Sequence, residues 1–198
     1  WTGQGWKSFR DGAPVDITLT LSFEETEIVT QEDVLGKTNV GDFTIELEPE
    51  KAPQTVANFL QYVRDGHYDG MIFHRVIKAF MVQGGGFDKS YNKKPTREPI
   101  PNEADKGIPN ERGTIAMART GDPHSATNQF FINVKFNGFL NYRSKTQQGW
   151  GYTAFGRVID GMNIVGRISR METGPAGPFP TDVPTKQVFI EKAKIISE

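Results

Sequence analysis

Short apolar runs of strand length, separated by glycine or proline, are the strongest constraint that this sequence places on its fold. The stretch GDFTIEL at residues 41–47 has an apolar side chain at every second position, a pattern typical of a strand with one buried face. Further runs of this length are IFHRVI, FMVQ, GTIAMA, QFFINV, YTAFGRVI and QVFIEKAKI. The sequence therefore predicts a mainly β fold.

Two segments have the apolar spacing of helices. In APQTVANFLQYVRDG, at residues 52–66, apolar side chains recur at i, i+3, i+4 and i+7, and Gly66 marks the end. In MNIVGRI, at residues 162–168, Met162, Val165 and Ile168 lie on one side. Many strands and only two helices predict a closed antiparallel barrel whose ends are covered by the helices.

The two ends of the chain are less regular. ITLTLSF at residues 17–23 predicts one strand in an N-terminal extension of residues 1–37, and residues 38–198 are expected to form the main domain. The extension could add a strand to the barrel, pair with a second copy, or be a tether that follows a removed signal peptide. The proline-rich TGPAGPFPTDVPT at residues 173–185 lacks apolar periodicity and predicts a surface loop.

Composition excludes several classes of function. The net charge is −1, so no nucleic-acid partner is expected, and no window approaches the roughly 18 apolar residues of a membrane span. The chain has no cysteine, and none of its three histidines has a partner at i+4, so we expect no metal site. The chain begins at Trp1 and not at Met, which agrees with a removed leader or with a trimmed N-terminus. We favour an exported protein of the bacterial periplasm, with the cytoplasm as the alternative.

Arg75 is the most informative single residue. It lies inside the apolar run FHRVIKAFMV, where a charge is costly unless it is paired or has a task. On extended backbone, Arg75 can converge with Met81 and Gln83 from the next strand. In QFFINV, Gln129 and Phe131 share one face, while the opposite face is apolar and predicted to enter the core.

Five motifs, FHRVI, FMVQGG, AMART, SATNQFFINV and NGFLN, occur in an order and spacing that resemble the cyclophilin family of peptidyl-prolyl cis-trans isomerases, in particular its bacterial branch. The resemblance extends from about residue 38 to the C-terminus. It implies a closed eight-stranded antiparallel barrel capped by two α-helices, with the active site in a groove on the outer surface. It also implies an enzyme, without a cofactor, that accelerates rotation about X-Pro bonds in folding or flexible proteins.

The resemblance also implies roles for particular residues. By motif position, Arg75 and Gln83 are the expected catalytic residues. The expected proline pocket consists of Phe80, Met81, Phe131 and Leu140. Contacts to the substrate backbone and to the residue before proline are expected from Gln83, Ala118, Arg119 and Gln129, and the pocket rim from Phe139 and Tyr152.

Three positions depart from the pattern of many relatives. Lys78 and Ala79 replace a Pro-Gly turn, which leaves the geometry between the two site strands open. Phe139 replaces a tryptophan whose indole N–H helps animal relatives bind cyclosporin, so we expect weak cyclosporin binding. Tyr152 replaces a histidine, and because both rings are flat and partly polar, catalysis is expected to survive.

The same residues are compatible with other functions. The main alternative function is a proline-peptide binding or chaperone-like module with little isomerase activity. Asp122, His124 and Ser125 are too close in sequence to form an aligned hydrolase triad. Residues 84–86, GGG, lack the lysine of a phosphate loop and are expected to allow a tight backbone path beside the groove.

Overall fold

The structure, a computed structural model, describes residues 8–10, 13–15 and 32–196. The first two segments form the antiparallel strands β1 (Ser8–Arg10) and β2 (Ala13–Val15). The strand predicted at residues 17–23 lies outside the described residues. The division of the chain between residues 37 and 38 stays a prediction, and the first strand of the main sheet begins at Asp33.

An eight-stranded antiparallel sheet forms the body of the protein. In chain order its strands are β3 (Asp33–Thr38), β4 (Gly41–Leu47), β5 (Arg75–Ile77), β6 (Met81–Gly84), β7 (Thr114–Met117), β8 (Phe130–Asn133), β9 (Ala154–Asp160) and β12 (Ile190–Ile196). Their spatial order is β12-β3-β4-β9-β7-β8-β6-β5. A separate hairpin consists of β10 (Thr173–Ala176) and β11 (Phe179–Pro184).

The sheet curls strongly, but its two edge strands, β5 and β12, do not pair along their length. Instead, the irregular segments next to them are joined by a few backbone hydrogen bonds. The Phe73 N–H donates to the Val188 carbonyl at 2.8 Å, and the Ile190 N–H donates to the Met71 carbonyl at 2.9 Å. The prediction of a mainly β, eight-stranded antiparallel fold is confirmed, whereas full closure was overstated because this junction is not a continuous ladder.

Two helices cover the curled sheet, as predicted. The helix α1 (Pro53–Arg64) starts with a proline, whose missing N–H costs nothing at that position, and it buries Val56, Phe59, Leu60 and Val63. The helix α2 (Met162–Ile168) buries Val165 and Ile168. Within the described part of the chain, no helix is long and apolar enough to cross a membrane.

The sheet has a different apolar cluster on each of its faces. The larger cluster includes α1 residues together with Phe130 and Ile132 of β8. The smaller cluster contains Phe131 from the same strand, with its neighbours Met81, Ala116, Leu140 and Ala154. Because alternate residues of a strand face opposite sides, β8 contributes to both clusters. The sequence predicted that the face with Phe130 and Ile132 enters the core, and this is confirmed.

The prediction of a surface loop at residues 173–185 is wrong, since most of this segment forms the β10–β11 hairpin. The hairpin is anchored by Phe179, whose ring stacks on His74 at a centroid distance of 5.4 Å and meets Phe87 at 4.9 Å. A single anchoring aromatic residue does not produce a repeating apolar pattern in the sequence. The strands therefore depend on contacts with distant residues that local periodicity does not report.

Candidate active site

The pairing of three strands sets the geometry of the candidate site. In the β5–β6 ladder, Arg75 is opposite Gln83 and Ile77 is opposite Met81. In the β6–β8 ladder, Gln83 is opposite Phe131. Paired residues in antiparallel strands point to the same face of the sheet, so Arg75, Gln83 and Phe131 form a row across three strands. The predicted convergence of Arg75 with Met81 and Gln83 is confirmed.

A tight turn with Lys78 and Ala79 at its centre connects β5 to β6. The Phe80 N–H donates to the Ile77 carbonyl at 3.1 Å, and Ala79 has a positive φ of 55°. Positive φ at the third residue is the mark of a type II turn, which favours glycine at that position. The turn therefore forms without Pro-Gly, but it holds an alanine in a left-handed conformation.

Nine of the predicted site residues line one cavity of about 250 Å³. They are Arg75, Phe80, Met81, Gln83, Ala118, Arg119, Phe131, Leu140 and Tyr152. Gln129 lines a neighbouring cavity of about 140 Å³ that also contacts Gln83, Ala118 and Arg119. Phe139 stacks on Phe80 at a centroid distance of 5.7 Å. The structure thus brings all the predicted residues to one region of the surface.

The floor of the larger cavity is apolar. Met81, Phe131 and Leu140 are each at most 9% exposed. The Phe131 ring meets the Tyr152 ring edge-on at 5.7 Å, and the guanidinium of Arg119 lies 4.5 Å from the centre of the Tyr152 ring. Arg119 is itself held by a 2.9 Å hydrogen bond from its Nε to the Gly151 carbonyl. The cavity therefore has a buried apolar floor and a rim held by ring contacts and a hydrogen bond.

The opposite edge of the cavity is polar. The Nε2 of Gln83 donates to the Oε1 of Gln129 at 3.0 Å. The backbone of residues 84–86 passes closely behind this pair, since a Cβ on Gly86 would lie 2.6 Å from the Cδ of Gln129. Gly85 has a φ of +83°, a conformation that favours glycine. The predicted tight backbone path beside the groove is confirmed.

A chain of buried asparagines supports the cavity from behind. The Nδ2 of Asn137 donates to the Phe80 carbonyl at 3.0 Å and to the Oδ1 of Asn133 at 2.7 Å. Asn133 donates in turn to Asn110 at 3.1 Å, and Asn110 donates to the Tyr152 carbonyl at 3.2 Å. This network connects two cavity residues from distant parts of the chain. Sequence reasoning missed it, and the only signal was the number of asparagines near the site motifs.

His74, which precedes Arg75, lines neither of the two cavities. Its side chain is 3% exposed and packs between Phe87 and Phe179. Burial lowers the pKa of His74 to about 4, so the imidazole is neutral near pH 7. Its position agrees with a structural role rather than a catalytic one.

The residues that suggested a hydrolase do not form a relay. The Ser125 Oγ donates to the backbone carbonyl of Asp122 at 2.7 Å, and the His124 Nδ1 accepts from the Asn102 N–H at 3.0 Å. The hydroxyl and the imidazole therefore have other partners. In residues 32–196, no group of three or more acidic or histidine side chains is arranged to hold a metal ion.

Together, the fold and the cavity define a mainly β protein with an apolar cavity beside a guanidinium and two amides. The family model for the cyclophilin type peptidyl-prolyl cis-trans isomerase/CLD matches residues 34–195. The chain belongs to this family, and it is an isomerase of peptidyl-prolyl bonds.

Bacterial relatives with this name align with the chain over most of their length. A Streptomyces antibioticus peptidyl-prolyl cis-trans isomerase is 57% identical over 159 residues, which are 80% of this chain and 95% of the relative. Isomerase B of Escherichia coli K12 is 53% identical, covering 80% of this chain and 96% of its own. Isomerase A of Dickeya dadantii is 46% identical and covers 92% of this chain and 94% of its own. The predicted resemblance to the bacterial branch is confirmed.

Solved structures agree with the fold. A crystal structure of a cyclophilin-type isomerase from Cryptosporidium parvum has a TM-score of 0.68 and 27% identity, and covers 85% of this chain and 99% of its own. A second structure of that protein, obtained in the presence of the dipeptide Ala-Pro, has a TM-score of 0.69 and covers 84% of this chain. The predicted family, β architecture and enzymatic activity are therefore supported by both sequence and structure.

Proposed function

We propose that the larger cavity holds the proline ring of an X-Pro peptide and that Arg75 catalyses rotation of the bond before it. The observation that carries this proposal is the strand register, which sets Arg75 opposite Gln83 at the edge of a cavity floored by Met81. The substrates are proline-containing segments of unfolded or flexible proteins. A Cryptosporidium relative whose structure was obtained with Ala-Pro supports a proline-containing ligand.

The reaction requires only a small lowering of its activation barrier. Amide resonance holds the peptide bond planar, and rotation faces a barrier of about 18 to 20 kcal/mol. Uncatalysed X-Pro isomerisation takes tens to hundreds of seconds. A turnover of roughly 1 to 1000 per second requires a barrier lower by about 2 to 7 kcal/mol. One well-placed hydrogen-bond donor and a rigid pocket are sufficient for this, and no nucleophile is needed.

Arg75 provides the donor. In the twisted transition state the imide nitrogen loses its conjugation and becomes a better hydrogen-bond acceptor. A guanidinium fixed nearby therefore binds the transition state more tightly than either planar ground state, and only such differential binding accelerates the reaction. Arginine suits this role because it stays protonated at every physiological pH.

The apolar floor holds the ring still while the rest of the peptide turns. Phe80, Met81, Phe131 and Leu140 surround a space suited to a small ring and exclude water from it. Exclusion of water lowers the local dielectric constant and strengthens the interaction with the guanidinium. Phe139 and Tyr152 complete the rim of this pocket.

The polar edge binds the backbone of the peptide. Gln83 and Gln129 each retain hydrogen-bonding groups beyond the bond that joins them, so the pair can hold the carbonyl side of the X-Pro bond. Ala118 and Arg119 lie between the two cavities, where they contact the residue before proline. This division gives each side of the rotating bond its own binding surface.

The test is the cis-to-trans exchange rate of a short X-Pro peptide, measured by exchange NMR at matched peptide occupancy. Replacing Arg75 by alanine is expected to lower the rate by about 100-fold while binding persists. Arg157→Ala is the matched control, because Arg157 is also about half exposed, at 48%, and pairs with Glu48, and neither residue lines the cavity. Its rate is expected to equal that of the wild type.

The same experiment distinguishes the enzyme from the binding or chaperone-like alternative. A module of that kind binds the peptide without accelerating its exchange, or accelerates it equally well with alanine at position 75. Either result contradicts the catalytic role of Arg75. A loss of binding in Arg75→Ala, with an unchanged rate at full occupancy, also contradicts it, because the arginine would then serve ground-state affinity only.

A further inference from the structure

A carboxylate approaches Arg75 from the β10–β11 hairpin, a segment that the sequence did not connect with the site. The Oδ2 of Asp182 lies 4.0 Å from the Nε of Arg75. The two side chains are 36% and 45% exposed, respectively. Asp182 does not line the cavity, so its contact with the site is through Arg75.

The hairpin is held firmly against the strand that carries Arg75. Phe179, three residues before Asp182, stacks on His74, the residue immediately before Arg75. Val183, immediately after Asp182, is 1% exposed and pairs with Gly174 across the hairpin. The carboxylate is therefore flanked on both sides by anchored residues, and its position relative to Arg75 is set by the fold.

The backbone at Asp182 is itself unusual. Its φ of 68° lies in the left-handed region, which aspartate and asparagine tolerate better than other residues with a side chain. Backbone conformations of this kind persist where the surrounding structure imposes them, and they are found disproportionately at functional sites. A left-handed residue here also restricts which substitutions give a clean test.

We infer that Asp182 is a positioning residue for the reaction, which holds the guanidinium of Arg75 by its Nε edge and keeps it directed at the bound peptide. This inference rests on the catalytic role proposed for Arg75. At 4.0 Å the contact is an ion pair and not a hydrogen bond. A carboxylate beside Nε attracts that edge of the planar group and leaves its two terminal amino groups for the substrate. The arginine is then pre-organised before the peptide arrives, which benefits the transition state most.

The substitution to test is Asp182→Asn, which removes the charge, keeps the shape and tolerates the left-handed backbone. Exposed ion pairs are weak, so kcat and kcat/KM for an X-Pro peptide are expected to fall together by about two- to five-fold, with KM unchanged. The order parameter of the Arg75 Nε–Hε group, from ¹⁵N relaxation of the peptide-free enzyme, is expected to fall as well. In an Arg75→Ala background, the same substitution is expected to have no further effect.

Asp65→Asn is the matched control. Asp65 is 41% exposed and pairs with Arg97 at 2.6 Å, and neither residue lines the cavity. Both the rate and the Arg75 order parameter are expected to stay at the wild-type values in this variant.

Three results would overturn the inference: an unchanged Arg75 order parameter, a rate that stays the same or rises, or a further loss in the Arg75→Ala background. A fully active Arg75→Ala enzyme has a different meaning, because it refutes the proposed mechanism itself. The order parameter of Arg75 would still report, in that case, whether Asp182 holds the guanidinium.

Discussion

Gln83 donates a hydrogen bond from its Nε2 to the Oε1 of Gln129 across 3.0 Å, and this bond connects strand β6 to the residue that precedes β8. Gly86 makes the pairing possible, because any side chain there would collide with Gln129. The two amides thus form a fixed polar edge beside an apolar cavity. The first prediction concerns this edge.

Replacing Gln83 by methionine keeps the length of the side chain and removes its hydrogen-bonding groups. The Oε1 of Gln129 loses its donor and the peptide loses a contact, and these losses together are expected to lower kcat/KM about ten-fold, as measured by exchange NMR. Gln61→Met on α1 is the control, since the Gln61 amide bonds Asp65 away from the cavity. Equal rates for the two variants would exclude a role for the Gln83 amide.

The alanine at the β5–β6 turn is expected to cost stability. Ala79 has a φ of 55°, so Ala79→Gly relieves steric strain but increases the freedom of the unfolded chain. The relief of strain is expected to outweigh the added freedom, so the free energy of unfolding of Ala79→Gly exceeds that of the wild type by up to about 1 kcal/mol. Urea denaturation measures this difference. Ala57→Gly, at an exposed position of α1, is expected to lower it by about 1 kcal/mol. A loss of stability in both variants would show that the turn is unstrained.

Stability is expected to depend on pH through His74. Burial lowers the pKa of His74 from 6.5 to about 4, so between these values the unfolded chain binds a proton that the folded protein excludes. The stabilisation is therefore complete above about pH 6.5 and is lost as the pH falls towards 4. The loss amounts to roughly 3 kcal/mol.

The measurement is the free energy of unfolding from pH 7.5 to 4.5, for the wild type and for His74→Phe. Burial also lowers the pKa of His67, so some dependence on pH is expected to remain in the variant. The difference between the two proteins isolates His74. If the two curves run parallel across this range, the histidine is not the cause.

Cyclosporin binding is expected to respond to the residue at position 139. Phe139 is 61% exposed at the rim and, unlike the tryptophan of animal relatives, has no N–H to donate. Phe139→Trp is expected to raise cyclosporin affinity about ten-fold, as measured by calorimetry. Phe136→Trp places the same ring at a nearby exposed position and is expected to leave the affinity unchanged. A similar gain in both variants would indicate a general aromatic effect.

Much of the fold could be predicted because its elements carry their own patterns. The apolar spacing of residues 52–66 encodes α1, and the alternation in residues 41–47 encodes β4, since each pattern follows from the geometry of one helix or one strand. The candidate site could be predicted because its residues lie in five short motifs. Arg75 also stood out by itself, as a charge within an apolar run.

The sequence by itself therefore determined most of the local elements, the family and the set of residues that meet at the cavity. The tertiary structure alone decided the rest: the incomplete closure between β5 and β12, the asparagine network behind the cavity, and the hairpin that brings Asp182 to Arg75. Each of these joins residues that are far apart in the chain or lack a repeating pattern. Local periodicity indicates which face of a segment is buried. Contacts between distant residues depend instead on how two separate segments are placed in three dimensions.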